Sequence, residues 1–177
     1  MKYIALHHTA SLNTGSPQLF AVDRYHKGKW NDKSELGWYV GYNFFCDTDG
    51  TRTNTRRVGE ETIANKGHNC NIPENCDTIS YCMAGDFRTQ KPTPAQDSDF
   101  RRFVNDMKEK YAGIKVVGHR DIQAGRTCPE LPREYMEGFN KELDTEDREK
   151  EETIKLLQMK LLDLLRQLLR RLVALTE

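Results

Sequence analysis

Two histidines and one cysteine, far apart in the chain, have the side chains for a metal centre. His7 ends a short apolar run that starts at Lys2, His119 follows a second such run at 114–117, and Cys128 stands nine residues further on, between Thr127 and Pro129. A catalytic zinc takes three protein ligands from His, Cys or carboxylate and keeps its fourth position for water, whose pKa it lowers to about 7. Two imidazoles and a thiolate meet that requirement, and the chemistry they would support is hydrolysis by an activated water.

Such residues need elements that bring them to one place. Residues 2–6 read as a strand running into His7-His8-Thr9-Ala10, and the end of a buried strand is a common address for chemistry. Ser16-Pro17 followed by Leu19, Phe20, Val22 and Tyr25 predicts a helix over 17–27, with Ser16 as its N-cap. The aromatic run 37–47 predicts a strand, and Thr48-Asp49-Gly50 supplies the turn that returns it as a hairpin through Thr55. Further strands are expected at 78–83 and 114–117. A helix is expected at 94–111, where Phe100, Phe103, Val104 and Met107 recur at helical period, and another after Glu130-Leu131-Pro132. The alternation defines an α/β fold with a mixed central β-sheet flanked by helices. Residues 1–143 are expected to form the catalytic domain. From 144 charges crowd the chain, then leucine takes over, and 144–177 reads as a separate amphipathic helix.

Lys plus Arg equal Asp plus Glu at 27 each, which leaves no overall field to gather the chain on nucleic acid. No run is long and apolar enough to span a bilayer, and the first residues lack the apolar core of a secretory leader. Synthesis as a soluble cytoplasmic product is therefore the expectation. Five cysteines at irregular spacing argue against a disulfide framework. Cys46 and Cys82 fall in expected strands, whereas Cys70 and Cys76 are near enough in a polar loop to pair under oxidising conditions.

Four segments occur in an order and at separations that resemble the type 2 amidase family: His7-His8-Thr9-Ala10, Gly41-Tyr42-Asn43-Phe44, Gly118-His119-Arg120-Asp121 and Thr127-Cys128-Pro129. That family includes phage lysozyme-like amidases, bacterial N-acetylmuramoyl-L-alanine amidases and the animal peptidoglycan recognition proteins, and the resemblance covers about residues 2–140. It implies zinc-dependent hydrolysis of the amide between N-acetylmuramic acid and L-alanine in bacterial peptidoglycan. It also implies an endolysin-like protein, made in the cytoplasm and acting on the cell wall after release.

By position the resemblance puts the first zinc ligand on His7, with His119 and Cys128 completing the set. Strand alternation then turns His8 to the opposite face, and a register shift of one residue would exchange the two. Tyr42 matches the family tyrosine that activates the water or supports the transition state. Phage-type members carry a lysine two residues before the Cys ligand, where this chain has Arg126; arginine keeps the charge but cannot serve as a general acid. The interval from His119 to Cys128 is one residue longer than in many relatives, so Thr127 stands as the alternative. Asn65, Lys66, His68 and Asn69 fall where relatives meet the muropeptide. Asp121 is expected to orient a ligand or its loop, and His26 to be a groove or surface histidine without metal.

In the tail, Ile154, Leu157, Leu161, Leu164 and Leu168 are spaced alternately three and four apart, beside a second seam through Leu162, Leu165, Leu169 and Leu172. So wide a face needs cover: a helical bundle of several copies, folding back on the catalytic domain, or a membrane surface met by Lys155, Lys160, Arg166, Arg170 and Arg171. The expectation is a homo-oligomer through 154–175, with membrane contact second. Two other functions are compatible with the resemblance: a peptidoglycan-binding module without catalysis, against which the presence of Cys128 argues, and a cytoplasmic amidase that recycles muropeptides.

Overall fold

The computed structural model describes residues 1–60, 62–64 and 77–174, the side chains of 143, 146, 147 and 171–174 excepted. The chain divides into two units, Met1–Asn140 and Lys141–Glu177. Five strands form the sheet of the first unit: β1 (Tyr3–His8), β2 (Phe44–Cys46), β3 (Arg52–Asn54), β4 (Thr78–Met83) and β5 (Lys115–Gly118), in the order β3-β2-β4-β1-β5. β1 runs parallel to both of its neighbours, β4 and β5, and β2 runs parallel to β4. β2 and β3 make the expected antiparallel hairpin, so the sheet is mixed. At its turn Gly50 has φ +83°, and a Cβ there would lie 2.8 Å from the Ala95 carbonyl oxygen, which only glycine avoids.

Register fixes which side chains share a face. His7 stands opposite Cys82 and His8 opposite Met83, so the two histidines point to opposite sides of the sheet. On the Cys82 side the core continues through Val40, Phe45 and Ala84, covered by Leu19 and Val22 of α1 (Leu19–Trp30). On the other side Tyr81 lies 4.8 Å, ring to ring, from both Phe100 and Phe103 of α2 (Pro94–Lys110). Phe100 in turn meets Phe139 at 4.9 Å. Helices therefore flank both faces.

α2 begins at a capping box: the Thr93 hydroxyl accepts from Gln96 N, and the Gln96 side chain accepts from Thr93 N. The start of α1 differs from the expectation. Its N-cap is Gln18, with no side-chain cap of its own, and the N–H groups of Gln18 and Leu19 donate instead to the Asp47 carboxylate at 2.8 and 3.2 Å. A residue from the hairpin thus caps the helix, and Ser16 lies outside it.

Residues 37–43 are not strand. Backbone N–H groups here find side chains: Tyr39 N donates to Asp23 Oδ1 and Gly41 N to His26 Nδ1. After β5 comes a four-residue turn of helix, α3 (His119–Ile122), and then α4, which runs without interruption over Arg133–Ala174. The expected helix after Pro132 and the leucine-rich helix are one element, because no proline falls between 133 and 174 and Gly138 is the sole glycine there.

Candidate metal centre

The parallel strands direct their C-terminal ends to one edge of the sheet, where open α/β sheets bind ligands. His7 stands at the end of β1, and His119 follows β5 directly as the first residue of α3. Cys128 returns beside them because Arg120 N donates to the Cys128 carbonyl at 2.9 Å. Gly118 allows this approach: a Cβ there would meet Pro129 Cδ at 2.9 Å. The outcome is that one ligand atom from each of His7, His119 and Cys128 lies within 4.8 Å of the other two, a group that could hold a metal ion.

The donor set fits zinc. It offers two imidazoles and a sulfur, the mixed nitrogen and sulfur ligation that zinc accepts. His7 is 1 % exposed, and its Nε2 is buried without a hydrogen-bond partner among the described residues, an orphan that a metal would satisfy. His119 Nε2 lies 2.6 Å from Gln123 Oε1, an acceptor to which the ring donates, and this contact fixes the ring's orientation. Sequence reasoning missed Gln123. Its signal was the spacing of four from His119, which puts both side chains on one face of a helical turn.

Electrostatics keep the two neutral partners neutral. Burial, reinforced by the nearby His119 and His8, holds the His7 pKa well below 6.5, so its imidazole is neutral and not a cation at neutral pH. Burial, then the neighbouring Cys82 and Cys128, pushes the Tyr42 phenol well above 10, so Tyr42 keeps its proton. Its ring lies 5.0 Å from that of His7. Burial also raises the Cys128 thiol to about 12, opposed by the His8 backbone N–H and by the charges of Arg120 and Arg126. A bound metal reverses that balance, since a coordinated thiol loses its proton.

A cavity of about 220 Å³ opens on the triad, and Tyr42, His26, Trp30, Ile63 and Arg126 line it too. His26, buried on α1, also borders a larger groove of about 590 Å³ that shares Tyr42 and runs past Thr9, Leu12 and Tyr25. His8 is turned away as expected: its Nδ1 accepts from Phe87 N at 3.0 Å. Arg126 borders the cavity, whereas Thr127 is exposed and is not among its lining residues. Asp121 ties its loop, accepting from Gly118 N at 2.8 Å and from Arg133 at 2.6 Å. Cys46 and Cys82 are buried free thiols. Asn65, Lys66, His68, Asn69, Cys70 and Cys76 lie outside the described residues.

Fold and triad together define a class: an α/β domain with a mixed sheet and a His, His, Cys group at its strand ends, suited to a hydrolytic metal. Residues 1–131 match the family described as N-acetylmuramoyl-L-alanine amidase, and the chain belongs to that family. It is 27% identical over 132 residues to an endolysin of Klebsiella phage KP32, a match covering 71% of this chain and 78% of the phage protein. Its fold is similar to that of the N-acetylmuramoyl-L-alanine amidase LysC from Clostridium intestinale, with a TM-score of 0.60 at 24% identity, covering 81% of this chain and 85% of that one. Bumblebee PGRP-SA, a peptidoglycan recognition protein, shares the fold with a TM-score of 0.59 at 18% identity, over 73% and 75% of the two chains.

Proposed function

We propose that the chain cleaves the amide between N-acetylmuramic acid and L-alanine in bacterial peptidoglycan, with zinc held by His7, His119 and Cys128. What carries this reading is the convergence of those three ligand atoms within 4.8 Å, beside the partly buried phenol of Tyr42, in a chain of the amidase family. Bound there, zinc would supply the Lewis acidity that activates water and polarises the amide carbonyl. His7 offers a neutral nitrogen, and Gln123 holds the second imidazole, that of His119, by one ring nitrogen. Tyr42, kept protonated, donates a hydrogen bond to the oxygen that gains negative charge as the carbonyl is attacked. Arg126 adds a fixed positive charge at the cavity rim and does not exchange protons near neutral pH.

The likeness to a phage endolysin supports an endolysin-like role, acting on the wall. The intact ligand set favours catalysis over a binding module that holds peptidoglycan without cutting it. Mass spectrometry of digested cell walls tests the reaction. Stem peptides with a free L-alanine amino group are expected, with loss of the product on chelation and its return with zinc. Cleavage elsewhere in the polymer, or binding without any product, would refute it. Activity confined to soluble muropeptides, with none on intact walls, would point instead to recycling.

A further inference from the structure

α4 carries, within Lys141–Glu177, an apolar face that no described residue of that unit covers. Leu157, Leu161, Leu164 and Leu168 are 54–59% exposed, and Leu162, Leu165 and Leu169 widen the stripe. At 3.6 residues per turn these leucines and Ile154 span an arc of about 160°, broken only by Gln158. The cations stand outside it. Lys160 falls just past one edge, Lys155 and Arg166 past the other, and Arg170 opposite. Between 153 and 170 there are four cations and one acid, Asp163, which lies at the back and is met by Arg166 at 3.5 Å.

Those borders decide the occupant. Two copies packed face to face, in either direction, would bring positive borders together with no acid on either flank to meet them. The acidic stretch 142–152 could meet the partner's cations only in a slid antiparallel register. In that register Leu161 would face Glu151 and Leu164 would face Arg148, which removes the apolar contact. No described helix is long and apolar enough to cross a membrane.

We infer that residues 153–170 dock flat on an anionic phospholipid surface, leucines in the acyl boundary and Lys155, Lys160, Arg166 and Arg170 reaching the headgroups. This inference stands independently of the amidase reading. The test is flotation of the full chain with vesicles of phosphatidylglycerol and phosphatidylcholine, beside vesicles of phosphatidylcholine alone. Binding is expected to the anionic vesicles only and to weaken as salt is raised. The double variant Lys160→Gln and Arg170→Gln should lower the partition constant roughly 25-fold, since each cation near such a surface contributes about fivefold. Circular dichroism should show its helix intact. Equal binding to both vesicles overturns the inference, as does no binding to either. A stable oligomer in solution scattering that ignores lipid would assign the face to a second copy of the chain.

Discussion

Gln123 and Tyr42 stand beside the proposed ligands without belonging to them, so their variants separate positioning from chemistry. Gln123→Ala should weaken zinc binding by about 10- to 100-fold, as loss of a partner that orients a metal-bound imidazole does. Competition with a chromophoric chelator reads this directly, and an unchanged affinity would remove Gln123 from the site. Tyr42→Phe should leave the metal content alone and lower kcat by about 10²- to 10³-fold, the usual loss of one oxyanion donor. Wild-type turnover in that variant would show that the phenol only packs. His26 gives a pH signature. Burial first, then the charge of Lys29, holds its pKa near 4 against 6.5 for the free side chain. Between those values the unfolded chain binds the proton and the folded chain does not, so His26 makes stability fall as pH drops from about 6.5 toward 4. The limit is about 3 kcal/mol. Urea unfolding of His26→Gln across that range should show a shallower dependence than wild type; identical slopes would refute the assignment.

Among the elements, Asp47 is the clearest case of a contact that no local pattern announces. Its carboxylate caps α1 from 29 residues away, and Asp47→Ala should cost about 1–2 kcal/mol in unfolding free energy. A change below measurement error would mean the cap carries no stability. β4 was legible over its full length because it is buried on both faces and reads as an unbroken strand. The aromatics of 37–43 misled because strand propensity measures fit to a half-buried surface, and here that surface is the wall against α1. The N–H groups of Tyr39 and Gly41 are taken by Asp23 and His26, partners that only the folded chain brings near. The nearness of His7, His119 and Cys128 was suggested by two histidines that follow apolar runs and a cysteine nine residues past the second. Gln123 was not, since glutamine at that spacing is ordinary on any helix.

Seen whole, the molecule joins a domain that carries the triad to a helix whose leucines have no cover from the described residues of their own unit. A chain ending at residue 144 keeps Tyr135, Phe139 and Asn140 packed on the first unit, where Asn140 holds Val116 through both its amide groups. It should therefore keep its zinc and lose binding to anionic vesicles. Loss of zinc on truncation would mean the two functions are not separable. The most direct test of the metal assignment is elemental analysis of the purified chain beside its Cys128→Ala variant. About one zinc per wild-type chain and almost none in the variant are expected, since the site has only three protein ligands to lose one from. Stoichiometric zinc in both proteins would contradict the His7, His119 and Cys128 centre.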